Sequence, residues 1–266
     1  MNTVTCIETY IDSEDRHYGC FLIEPLETGQ GITLGNSLRR TLLSDLTSFS
    51  IVGARINNLK HEFTTIEGLR EDVLEVLLNL KEIVFKNSFA FSKETHLSKL
   101  KAFLNVKGPT IVTAGMLNLP KDMIKVINPH QYIATVVDNS ELYLEVDIEK
   151  GKGYRLTDQK NRKENEAKLS NVQSATLAVD AIFMPVKKVN YKIKLIHDSQ
   201  GNIKESLTLE IWTNGSISPK RCLQESIKIL MNLFYPLLIS PNFLNISSEF
   251  TKRFVEKENE RINKII

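Results

Sequence analysis

Little in this 266-residue chain invites a reading in terms of covalent or metal chemistry. Its three cysteines, Cys6, Cys20 and Cys222, stand far apart with no C-x-x-C pair. Their spacing therefore suggests neither a zinc site nor a disulfide framework, and a reducing compartment fits best. The five histidines, His17, His61, His96, His130 and His197, share no i, i+4 spacing, and no H-E-x-x-H helix or EF-hand loop occurs. No G-x-S-x-G elbow is present either, and no cysteine stands in a recognisable catalytic pattern. A run of about 18 apolar residues is missing. The opening residues MNTVTCIETYIDSED lack a basic flank followed by an apolar stretch, so neither a membrane span nor a signal segment is expected. Charge of one sign is scarce too: 34 Lys and Arg against 32 Asp and Glu leave +2, too mild for a dedicated nucleic-acid surface.

What is present is ordinary globular material. A hydrophobic fraction of 42% with 25% charged residues excludes wholesale disorder, and the length suits one large core or two modest ones. Two subdomains are the starting expectation. Lysine outweighs arginine, and asparagine and isoleucine are frequent, a bias that an AT-rich genome would produce.

Periodicity then assigns the elements. CIETYIDSEDRHYGCFLIEPL reads as a hairpin whose second strand, Tyr18–Ile23, is stopped by Pro25. A helix over Leu34 to Leu46 places Leu34, Leu38, Leu42 and Leu46 four apart, with Leu43 widening the stripe, Arg39 at its edge and Arg40 on the other face. GLREDVLEVLLNLKEI repeats the pattern through Leu69, Val73, Val76, Leu77 and Leu80, with Arg70, Glu71, Asp72, Glu75 and Lys81 on the wet side. Short strands follow, and LYLEVDIEKG alternates Leu142, Leu144, Val146 and Ile148 with acidic neighbours. The polar residues around 155–171 lose all periodicity, as a surface loop would. Val189, Tyr191, Ile193 and Leu195, then Leu207, Leu209 and Ile211, predict a hairpin turning at Gly201. A last helix follows, with Ser218 as N-cap and Pro219 at its first position. Its seam is Leu223, Ile227, Leu230 and Phe234, and Pro236 kinks or ends it. The charged tail reads as helical.

Gly29, Gly31 and Gly35 form G-x-G-x-x-x-G ahead of the first helix. A phosphate loop needs a lysine and a hydroxyl after its last glycine, and a dinucleotide fingerprint needs different spacing in a βαβ setting. The alternative of a small nucleotide-dependent enzyme using Gly31–Gly35 is set against a structural reading: a tight turn and close helix contact. The broad apolar helix faces suit either core packing or a partner surface.

IEPLETGQGITLGNSLRRTLLSDL closely resembles the N-terminal signature of the alpha subunits of bacterial-type DNA-directed RNA polymerases. HEFTTIEGLREDVLEVLLNLKEI, GPTIVTAGML, INPHQYIATV, IEKGKGYRL, VDAIFMPVKKVNYKI and LTLEIWTNGSISPKRCLQESIKIL are similar to later blocks of that family, in its order. The resemblance implies an α+β fold of two subdomains. Residues 1–49 plus 175–240 would dimerise and residues 50–174 would form an inserted subdomain meeting the large polymerase subunits. Residues 241–266 depart from the bacterial pattern: they read as a charged tail, too short for the DNA-binding C-terminal domain that bacterial relatives carry. The resemblance also implies a homodimer interface through Leu34, Leu38, Leu42, Leu223, Ile227, Leu230 and Phe234. Contact with the beta subunit would fall at Arg40 and around His61, and beta-prime contact at Lys81 and Val179. No catalytic residue, metal or cofactor would belong to this chain. DNA would be met only through the assembled enzyme, no membrane would be involved, and the compartment would be a plastid, or alternatively a bacterial cytoplasm.

Overall fold

The computed structural model describes residues 3–12, 16–57, 59, 61–87, 99–120, 123–156, 176–198 and 201–239. The elements run β1 (Thr3–Ile11), β2 (His17–Leu26), α1 (Gln30–Ser44), β3 (Thr47–Ile56), α2 (Val73–Lys81), β4 (Phe85–Asn87), β5 (Lys99–Lys107) and β6 (Thr110–Thr113). They continue with β7 (Ile124–Val126), β8 (Tyr132–Val136), β9 (Glu141–Lys152), β10 (Tyr154–Arg155), β11 (Leu177–Ala178), β12 (Ala181–Ile182), β13 (Val186–His197), β14 (Ile203–Thr213) and α3 (Pro219–Leu238). The loop expected at 155–171 falls almost wholly outside the described residues, and the expected helical tail falls entirely outside them.

Two sheets organise two cores. The first sheet, ordered β1-β2-β14-β13 and antiparallel, joins the two ends of the chain: Tyr18 pairs with Trp212 and Phe21 with Leu209. One face buries Phe21, Ile23, Leu207, Leu209 and Ile211 against Leu38, Leu42 and Leu46 from α1 and just beyond it, and against Cys222 and Leu223 of α3. On the other face Tyr10, Tyr18 and Trp212 lie side by side at 4.6 and 5.0 Å, and the Lys188 ammonium sits 4.8 Å over the indole, so one row of rings touches all four strands. The second sheet, ordered β11-β3-β9-β5, buries Ile51, Ala54, Leu104, Leu144, Val146 and Ile148 against α2 and the short strands β4, β6, β7 and β8.

Several local expectations need correction. The strand β2 runs through Pro25 to Leu26, because the missing N–H falls where the pairing with β14 shifts register between Glu205 and Leu207. The first helix begins at Gln30, four residues early. Only Gly29 adopts a left-handed φ of 89°, while Gly31 and Gly35 are helical and let α1 approach β13 closely. The second helix is shorter than expected: Leu69 bridges Val136 and the Arg70 N–H donates to the Thr135 carbonyl at 3.0 Å, which holds that backbone extended until Val73. Glu71, expected on the wet side, is 6% exposed. Ser218 does sit at the N-cap, without a side-chain bond, and Pro219 opens α3. Pro236 lies inside the helix, which ends two residues later. The alternation of β9 separates a dry face from an acidic one, and the structure pairs acidic residues of that face: Glu145 accepts from Lys101 at 2.7 Å and Arg55 at 3.2 Å, and Glu149 accepts from Arg155 at 2.6 Å.

Candidate assembly surfaces

The helix α1 is held on the β13–β14 hairpin by polar contacts along its length. Glu205 accepts hydrogen bonds from the Gly29 and Gly31 amides at 2.9 and 2.8 Å. Tyr191 donates its hydroxyl to Asn36 at 2.9 Å, and the Arg39 guanidinium donates to the Val189 carbonyl. The glycine segment therefore does bind an anion, but the anion is a carboxylate of the same chain. A Cβ at Gly31 would stand 2.7 Å from a Glu205 oxygen. The amides a phosphate would use are taken, so nothing supports the nucleotide-dependent alternative.

The residues expected at a dimer interface divide into three groups. Leu38, Leu42 and Leu223 are 1%, 1% and 3% exposed; they pack inside the first core and support the surface from beneath. Leu34, Ile227 and Leu230 are half-buried beside that core. Phe234 is 58% exposed, and around it Met231, Leu233, Leu237 and Leu238 leave the last turns of α3 apolar and uncovered; α1 adds Ile32. Sequence periodicity could place these residues on a helix but could not tell which stripe its own sheet would cover.

The positions expected at the large subunits are equally uneven. Arg40 projects from α1 with no side-chain partner among the described residues, whereas Arg39 next to it is engaged. His61 and Phe63 are exposed ahead of α2, whose outer side shows Leu74 and Leu78. Lys81 is largely covered: its ammonium lies 3.8 Å from Asp180, 3.3 Å from the Tyr154 hydroxyl and 5.2 Å over that ring. Val179 is 6% exposed and belongs to the second core, so its neighbour Asp180 marks the surface there. Sequence spacing alone gave no sign of Asp180 or Tyr154, since they reach Lys81 from distant parts of the chain, Tyr154 from β10 and Asp180 from the link between β11 and β12.

Between these surfaces a carboxylate network stiffens the start of α2. Glu71 accepts from the Thr135 N–H at 2.7 Å, from Arg70 at 2.9 Å and from the Tyr132 hydroxyl. Burial by itself would raise its pKa, but these hydrogen bonds and the Arg70 charge together hold it below the usual carboxylate range. The buried Cys222 thiol is pushed up to about 12, chiefly by loss of solvent, which leaves it unreactive at neutral pH. Among the described residues no group of three His, Cys, Asp or Glu side chains is arranged to hold a metal, and no helix is long and apolar enough to cross a membrane.

Residues 54–184 match the family model of the RNA polymerase Rpb3/RpoA insert domain, which defines the class: a polymerase subunit carrying an inserted strand-rich body. DNA-directed RNA polymerase subunit alpha of Pyropia yezoensis is 43% identical over 263 residues, covering 99% of this chain and 78% of that protein. The subunit of the same name from Rhodomonas salina is 45% identical over 263 residues, 99% and 77% of the two chains. That of Trichormus variabilis is 41% identical over 234 residues, 88% and 70%. The chain belongs to the family of DNA-directed RNA polymerase alpha subunits.

Proposed function

We propose that this chain serves transcription as the non-catalytic alpha subunit of a multisubunit DNA-directed RNA polymerase, forming a homodimer that then gathers the beta and beta-prime subunits. The observation that carries the reading is the uncovered apolar end of α3, where Met231, Leu233, Phe234, Leu237 and Leu238 stand in water beyond the first turns of the helix, which pack through Pro219, Cys222, Leu223 and Ser226. Contiguous apolar surface of this kind suits a permanent partner. Two copies of one helix meeting about a two-fold axis would cover it.

In this reading residues 1–49 with 175–240 form the dimerising body and 50–174 the inserted one. Arg40 supplies a directional guanidinium to beta, with His61 in the same contact region. Lys81 and the surface beside Val179 face beta-prime, and DNA is met only through the complete enzyme. Relatives from Pyropia, Rhodomonas and Trichormus are in keeping with a plastid or a bacterial cytoplasm. The lysine-, asparagine- and isoleucine-rich composition favours the plastid.

The test is Arg40→Ala in the full chain. Homodimer mass by light scattering should be unchanged, while beta binding weakens by about 1–3 kcal/mol, the scale of an interface anchor. Undiminished co-purification of beta would remove Arg40 from the interface, and a monomeric wild-type chain would remove the proposal.

A further inference from the structure

The start of α1 is unusual in what it lacks. Its first turn has no acidic residue, and Gly29 at the N-cap has no side chain to accept a bond from the free amides. Their partner comes from 174 residues further on, where Glu205 directs one oxygen to Gly31 and the other to Gly29. Glu205 is 8% exposed. Among the described residues no lysine or arginine pairs with it, whereas adjacent Lys204 holds Glu27 at 2.5 Å. The Glu205 charge is thus answered by the partial positive charge of the helix end. The Asn36 and Arg39 contacts to Tyr191 and Val189 complete a row on the same hairpin, which fixes both where α1 begins and how it is rotated. Arg40 follows Arg39 by about 100° around the axis and faces away from the hairpin.

We infer that Glu205 is a positioning residue for assembly: a built-in anion that keys the start and rotation of α1 to the hairpin, and so decides where Arg40 and the outer flank of α1 meet partners. The inference rests on the assembly role proposed above.

The experiment uses the full chain as wild type, Glu205→Ala and Glu205→Gln. Each is measured for homodimer mass, capture of beta and hydrogen exchange at the Gly29 and Gly31 amides, in sodium acetate and in sodium chloride of equal ionic strength. The alanine variant should exchange those amides faster and capture beta about tenfold less well, since charged hydrogen bonds of this kind are worth that or more. Acetate, entering the vacated anion position, should restore part of both losses where chloride does not. The glutamine variant keeps the shape but offers one strong acceptor for two amides; it should fall between, and it carries the test if the alanine variant does not fold. Capture by the substituted chains equal to wild type, or a loss that acetate leaves unchanged, overturns the positioning role while leaving the assembly reading intact. A wild-type chain that neither dimerises nor captures beta overturns that reading itself.

Discussion

Phe234 and Leu223 lie eleven positions apart on α3, yet their truncation should have opposite signatures. Phe234 is 58% exposed. An aromatic side chain offers some 150–250 Å² in all, so roughly 100 Å² of Phe234 remains in water until a partner covers it. At about 25 cal/mol/Å² that area is worth about 2.5 kcal/mol, and ordering the ring at an interface costs about 0.5 kcal/mol or somewhat more. About 2 kcal/mol per chain remains, counted twice in a two-fold interface, so Phe234→Ala should raise the dimer dissociation constant roughly a thousandfold. The folded monomer should hardly notice, within about 0.5 kcal/mol. Leu223 is 3% exposed inside the first core, and Leu223→Ala should cost about 2–5 kcal/mol of folding stability through the cavity it leaves. Sedimentation through a dilution series reads the first quantity. Urea unfolding at concentrations below dissociation reads the second, which separates stability from mass action. A Phe234→Ala chain that still dimerises like wild type would refute the assignment of this helix end to the interface. A Phe234→Ala chain that loses monomer stability instead would show that the ring is packed within its own chain.

Three further outcomes follow from the geometry. Because Glu71 titrates below its ordinary value when folded, the network contributes stability that is complete above the unfolded carboxylate pKa and is lost as pH falls through the lowered folded one. Tyr132→Phe should flatten that acid-side loss and cost about 1.5–3 kcal/mol at neutral pH, both read from urea midpoints across the acid range. Gly35→Ala gains up to about 1 kcal/mol of helix propensity, but its Cβ would meet the Tyr191 ring at 2.8 Å while Asn36 restrains that ring, so thermal unfolding should show net destabilisation of about 1–2 kcal/mol. Replacing residues 47–182 by a short Gly/Ser linker should leave a folded body by circular dichroism that still dimerises but no longer captures beta-prime. Its joints, Leu46 and Phe183, lie close together, since Ser48 and Phe49 just past the first line one small cleft with Ile182 and Met184 on either side of the second.

Much of the fold was legible in period-two and period-four patterns where one face of an element is dry. β9 is the clearest: Leu142, Leu144, Val146 and Ile148 are all buried, as their alternation predicts. The β13–β14 hairpin followed from the same rule and a turn at Gly201. Legibility failed where a distant side chain overrides a local rule. Nothing near Gly29 announces that a helix can start there, because the acceptor for its free amides is supplied by Glu205. Glu71 has the spacing of a solvated charge, and it is buried because Tyr132 and Thr135 arrive from β8. The proposed partner surfaces rest on the family resemblance and not on any pattern in the sequence. A leucine stripe reads the same whether its own sheet or a second protein covers it, which is why Leu38, Leu42 and Leu223 could not be told from Phe234.

The same long-range closure bears on how the first body can form at all. Its central strand pair joins residues near 20 to residues near 210, so closing it in an open chain would order a very large loop. The insert removes most of that cost once folded. β3 leads in and β11 leads out as antiparallel neighbours, with Gly53 opposite Ala178 and Ala54 opposite Leu177, which brings the chain segments on either side of the insert together. Lys152 of β9 pairs with Asp45 at the end of α1, and the Phe183 ring lies against Gly151. A folded insert therefore presents Leu46 and Val186 to one another already near the positions they hold in the first core. Loop-closure entropy favours this order, insert first and the body of the first sheet second. Substitutions deep in the second core, at Val146 or Ile148 for example, would then reach dimerisation through the folding of the body that carries α1 and α3, with no contact to either helix.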